Sequence, residues 1–141
     1  YWNADYVTDL GEEAIALHTQ YAAQLPSVHS TMHLYPINGA AHRVGPNDTA
    51  WSFREANFVQ VIVGVDPDPA NNARTIGWSK EYWRRLHPYS AGGAYVNMMM
   101  DEGQERVMAA YRDNYARLAQ VKARYDPDNF FHVNQNIRPA R

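Results

Sequence analysis

Apolar and polar positions follow two different periods along this chain. Leu10, Ala14, Leu17, Tyr21, Ala22 and Leu25 recur at helical spacing until Pro26 stops them. Asp9 and Glu12 stand ahead of the run at capping-box spacing, with Asp in place of Ser or Thr. Together they predict a helix over about 10–24. Ser30 to Ile37 has period two, with Thr31, His33 and Tyr35 on one face and Met32 and Leu34 on the other, and predicts a strand. Asn38-Gly39 is a turn signal, Ala40 to Val44 reads as a short strand, and Gly45-Pro46-Asn47-Asp48 reads as a loop. Phe58 to Val65 is β-branched and nearly continuous, the pattern of a central strand covered on both faces. Asp66-Pro67-Asp68-Pro69 ends it.

Ile76, Trp83 and Leu86 then predict a second helix over Asn72 to Leu86, closed by His87-Pro88. After Gly92-Gly93, the stretch Ala94 to Met99 reads as a short apolar strand. Val107, Tyr111, Tyr115, Leu118, Val121 and Tyr125 form the apolar stripe of a helical region from Asp101 to Tyr125, with a break near Asp113. Asp126-Pro127-Asp128-Asn129 stops it, and Phe130 to Arg141 is irregular and rich in aromatic and amide groups. The order α-β-β-β-α-β-α predicts the α+β class: an antiparallel β-sheet with helices packed on one face.

Composition narrows the function classes. A chain of 141 residues, 45% hydrophobic and 13% aromatic, is enough for one core and unlike a disordered segment. No apolar run approaches the roughly 20 residues of a membrane span. A formal charge of −2 with scattered basic residues leaves no nucleic-acid footprint. The absence of cysteine excludes disulfides, thiolate metal sites and a cysteine nucleophile. The chain opens Tyr1-Trp2-Asn3, with neither Met nor a signal-peptide pattern, and so reads as a piece of a longer protein.

Most familiar chemistry is missing. There is no Gly-rich strand-to-helix turn, no GxSxG elbow and no HExxH pattern. His29 and His33 would lie about 13 Å apart on an extended strand, so no metal site is expected. Glu12-Glu13 and Asp101-Glu102 read as dipole-complementing residues at helix starts. Asn47-Asp48-Thr49 is a glycosylation sequon that matters only in a secreted protein. His33 and Tyr35 share a strand face that either lines a pocket or is solvated. Tyr95 and Asn97 are more pointed, because a strand just after a glycine turn would carry both on one face. Beside a flavin, such a phenol can take a proton as hydride leaves a substrate, and the amide can bond the ring edge.

Four segments run in one order and spacing: Ala94-Tyr-Val-Asn97, Tyr111-Arg-Asp-Asn-Tyr-Ala-Arg-Leu118, Val121-Lys-Ala-Arg-Tyr-Asp-Pro-Asp-Asn-Phe-Phe131 and Asn134-Gln-Asn-Ile137. With Gly39-Ala-Ala-His-Arg-Val44 and Thr49-Ala-Trp-Ser-Phe-Arg54, they resemble the berberine bridge enzyme-like flavoproteins, of the vanillyl-alcohol-oxidase type, and their bacterial FAD-linked oxidases most closely. The resemblance implies that residues 1–93 are the C-terminal part of a substrate-binding domain, and 94–141 a closing segment that returns to the flavin. It implies an FAD-dependent oxidoreductase moving a hydride from a small organic substrate to flavin, with dioxygen as the electron acceptor. FAD would be held mostly by a domain outside these residues, on the same polypeptide or on a separate chain, and the isolated piece would be inactive.

Residue by residue, the resemblance sets Tyr95 and Asn97 beside the flavin, with Tyr95 as the candidate catalytic base, and brings Asn134 and Asn136 to the cofactor. Met98 stands where many members carry a tyrosine, and Asp113 where the family has a glycine. Arg43 or a neighbour stands where the plant alkaloid enzymes carry a glutamate base, so alkaloid ring closure is not implied. His33, Tyr35 and Arg43 are second-rank substrate candidates. Phe130, Phe131 and Ile137 lack any register that would bury them and predict an exposed apolar surface. The alternative reading is a non-catalytic α+β binding or interaction module.

Overall fold

The computed structural model describes residues 1–141. Three strands, β1 (Trp2–Val7), β2 (Thr31–Pro36) and β3 (Phe58–Val63), form one antiparallel sheet in the order β1-β3-β2. The near-continuous apolar run therefore takes the centre, as its composition requires. Val59 and Val61 face one side and pack with Ala4, Tyr6, Phe53, Ala94 and Met99. Ile62 faces the other side and packs with Ala14, Tyr21, Tyr82 and Leu86. These last four come from α1 (Glu12–Ala22) and α3 (Asn72–Leu86), which lie together on that face. Fully burying a side chain such as Ile62 stabilises the fold by about 1.5–3 kcal/mol. The architecture is α+β, as the order of elements predicted.

The strand β1 was not foreseen. Its polar residues Asn3 and Asp5 are buried, which a polar/apolar alternation does not announce. They are satisfied from afar: Ser79 Oγ lies 3.5 Å from Asn3 Oδ1, and His87 Nδ1 lies 2.9 Å from Asp5 Oδ2. The predicted strand at 40–44 is instead a helical turn, α2 (Ala40–Arg43). Gly39, at φ 60°, reverses the chain there in a left-handed conformation open to glycine, and Ala41 N bonds Asn38 O. Helix α1 begins at Glu12, capped by Gly11 rather than by Asp9, so the capping box does not form. Asp9 Oδ1 accepts from Leu10 N instead.

Ala94 to Met99 is not a strand either. A 3₁₀ turn occupies Val96–Met98, closed by Met98 N on Tyr95 O at 2.8 Å. The edge of β1 has no room for another strand, because Tyr6 N and O already bond Gly93 O and Ala91 N. Gly93 is needed at this crossing: a Cβ there would meet Phe53 Cζ at 2.2 Å and Ala109 O at 2.9 Å. The long helical region breaks where expected, into α4 (Gln104–Tyr111) and α5 (Asn114–Tyr125). The left-handed residue is Arg112, at φ 49°, while Asp113 keeps an ordinary conformation. The break also splits the apolar stripe: Val107 is buried, whereas Val121 and Tyr125 are exposed. Asp101 and Glu102 precede α4 rather than starting it, and Glu102 pairs with Arg106 at 3.0 Å.

Candidate functional site

Segment 94–99 lies against the Val59–Val61 face of the sheet, with Ala94 and Met99 buried and Val96 and Met98 packed on the same cluster. Anchored this way, the 3₁₀ turn pushes Tyr95 and Asn97 outward. Asn97 Nδ2 donates to Tyr95 Oη at 2.8 Å. The two residues expected to share a strand face therefore do come together, but through a turn rather than through strand alternation. Tyr95 is 41% exposed.

A cavity of about 450 Å³ opens beside them, lined by Val96, Asn97, Met99, Tyr111, Val133, Asn134 and Gln135. Asn97 and Asn134, both singled out in the sequence, meet here from distant segments. Asn134 sits at φ 61°, a left-handed conformation that asparagine tolerates better than most residues. Asn136 is next to the cavity rather than in its lining. Its Oδ1 is buried without a partner, and its carbonyl accepts from Gln104 Nε2 at 3.2 Å. Gln104 Nε2 also donates to Tyr115 Oη at 2.8 Å, and Tyr115 Oη accepts from Arg138 N at 3.2 Å. The two helices after the cavity thus hold the tail by side-chain bonds rather than by a regular element.

Three phenols gather near this cavity. Burial pushes the Tyr111 phenol above its ordinary value, and the neighbouring Tyr95 adds to the effect. Burial likewise raises Tyr6, chiefly because its ring lies inside the sheet packing. Both stay protonated at neutral pH.

The remaining sequence candidates lie outside the cavity lining. His33 and Tyr35 stack at 5.5 Å between ring centroids, opposite Val61 and Val59 on the same sheet face. Thr31 Oγ1 lies 2.7 Å from His33 Nε2. Arg43 sits on α2 and lines a separate shallow depression with His42, Arg54 and Glu55. No group of three His, Asp or Glu residues is arranged to hold a metal. Tyr111 and Gln135 were not picked out from sequence. Tyr111 was absorbed into a helical stripe, and Gln135 stood between two asparagines that drew the attention.

The same fold recurs in solved structures. A glycopeptide hexose oxidase crystallised with teicoplanin superposes with a TM-score of 0.87 at 23% identity, over 98% of this chain and 32% of that one. Residues 94–138, which carry Tyr95, Asn97, Asn134 and Asn136, match the family described as "Berberine and berberine like". The uncharacterized FAD-linked oxidoreductase YgaK of Bacillus subtilis is 30% identical over 132 residues, covering 94% of this chain and 29% of that protein. Aclacinomycin-N/aclacinomycin-A oxidase of Streptomyces galilaeus is 26% identical over 145 residues, covering 90% of this chain and 26% of that protein. In sequence the chain is similar to a portion of FAD-linked oxidoreductases, and in fold to a portion of the oxidase structure above. The similarity is to the C-terminal portion of berberine bridge enzyme-like proteins. The chain spans about 30% of the length of the curated relatives it matches. No helix is long and apolar enough to cross a membrane.

Proposed function

We propose that this chain forms one wall of the catalytic site of an FAD-dependent oxidase acting on a small organic substrate. The observation that carries the reading is the meeting of Asn97 and Asn134 at one cavity, with the Tyr95 phenol bonded to Asn97. The residues suit a flavin. Asn97, Asn134 and Gln135 offer amide donors and acceptors of the kind a ring edge needs, and Asn136 Oδ1 is a buried acceptor still without a partner. Asn97, Asn134 and Asn136 would hold the ring edge. When bound, the flavin supplies the acceptor for the hydride.

Tyr95 has the remaining task in this reading. Loss of hydride from a CH–OH or CH–NH centre releases a proton, which Tyr95 Oη accepts as phenolate. A free phenol titrates near pH 10, so it serves as a base only where its anion is stabilised. Asn97 Nδ2 donates to Tyr95 Oη at 2.8 Å and so orients the phenol. Met98 cannot share the work, because a thioether takes no proton near neutral pH.

The exposed Phe130 and Phe131, at 76% and 74%, form an edge-to-face pair on the tail. They support contact with an FAD-binding domain, in the same polypeptide or on a separate chain, and without it the 141 residues would be inactive. Dioxygen is the electron acceptor in this reading. The test is the absorption spectrum of the whole protein that carries this chain. A flavin spectrum bleached by substrate and restored by air is the expected result, and a colourless, fully folded whole protein refutes it.

A further inference from the structure

We propose that Gln135 is a positioning residue for the cofactor-facing amide of Asn134, an inference that rests on the FAD-dependent reading above. Gln135 Nε2 donates to the carbonyl of Met99 at 3.2 Å and to that of Met100 at 3.1 Å. Both carbonyls belong to the segment that also carries Tyr95 and Asn97. One side-chain amide therefore ties the tail to the other wall of the cavity, across 36 and 35 residues of sequence.

What it ties down is an unusual turn. Asn134 holds φ 61°, and Asn136 N bonds back to Asn134 O at 2.9 Å. A left-handed non-glycine residue persists where its surroundings over-determine it. Regular structure does not do so here, since the tail from Phe130 onward belongs to no helix or strand. The side-chain bonds of Gln135 on one side and of Gln104 on the other do. Gln135 bonds directly next to the strained residue, and Met99 is buried in the core, so the clamp is fixed at its far end. Asn134, itself exposed, thereby stays on the cavity wall opposite the segment that carries Asn97.

The experiment uses the whole protein that carries this chain, with Gln135→Leu and Asn134→Ala made singly and together. The first readout is hydrogen exchange at the Asn136 amide. Two lost bonds of ordinary strength should raise exchange in Gln135→Leu about 10- to 30-fold. Exchange at the wild-type rate overturns the clamp, whether or not flavin is bound. Gln135→Glu supplies the conservative control. Its carboxylate has no proton to donate at neutral pH and regains one below about pH 4, so slow exchange relative to wild type at the same pH should return on acidification. The second readout is the visible band of the bound flavin. Each single variant should shift it, and the double variant should shift it no further than Asn134→Ala, because Gln135 acts through Asn134. Additive shifts overturn the positioning role. A whole protein that binds no flavin overturns the FAD reading and with it the cofactor role of Asn134, while the exchange result still decides whether Gln135 sets the turn.

Discussion

Arg106 and Asp5 stand 101 residues apart in sequence and 3.0 Å apart in space. The guanidinium of Arg106 reaches from α4 to the outer edge of β1, where it bonds Asp5 Oδ1 and the carbonyl of Ala4. It also pairs with Glu102 at 3.0 Å and lies over the Trp83 ring at 5.3 Å. Asp5 itself is wholly buried. One side chain thus closes a strand edge, neutralises a buried carboxylate and fastens α4 to the sheet.

Removing that cation leaves Asp5 buried with only His87 beside it. Arg106→Met should destabilise the fold by about 3–5 kcal/mol, the usual cost of breaking one side of a buried pair. The double variant Arg106→Met/Asp5→Leu should recover much of the loss. Equilibrium unfolding in urea measures both, and a single variant as stable as wild type would remove Arg106 from this role.

The paired glycines should respond very differently to alanine. At Gly93 the new methyl group would collide with Phe53 and with the carbonyl of Ala109, so Gly93→Ala should cost about 1–3 kcal/mol or more. At Gly92 there is open space, and the penalty is the left-handed backbone at φ 86°, about 1–2 kcal/mol. Only the first variant should also disturb the packing of 94–99, visible as altered aromatic circular dichroism.

The tail should loosen in acid. A bond from Lys122 holds the Asp126 carboxyl below the usual carboxylate range, and the amides of Phe131 and Phe130 add to it. A carboxyl depressed in the folded state contributes stability above its unfolded value, near pH 3.9, and loses it as pH falls through the folded value. Amide signals of Phe130 and Phe131 should therefore change first as pH drops below about 4. Asp126→Asn should abolish that titration, and an unchanged titration in the variant would assign it elsewhere.

Within the proposed enzyme, Tyr95→Phe should slow flavin reduction by about 10²–10⁴ while leaving the substrate Kd nearly unchanged, as loss of a general base does. Stopped-flow reduction separates the two quantities. Because Tyr95 is exposed and its one side-chain bond is to Asn97, the variant should fold normally. Reduction at the wild-type rate would move the base to another residue.

The apolar pattern determined the central strand, since Phe58 to Val63 is buried on both faces, and it determined α3 from Asn72 to Leu86, where the helical period is unbroken. The sequence motifs also carried the family resemblance and pointed to Tyr95, Asn97 and Asn134. Local pattern could not announce β1, because Asn3 and Asp5 look like solvent-facing residues until Ser79, His87 and Arg106 arrive from far along the chain. Nor could it tell a strand from a turn at 94–99, where the choice was made by an edge of β1 already filled by Ala91 and Gly93. Tyr111 and Gln135 became part of the cavity only by tertiary contact. An amide's partners are set by where distant carbonyls come to rest, and that is decided by packing rather than by the residues on either side.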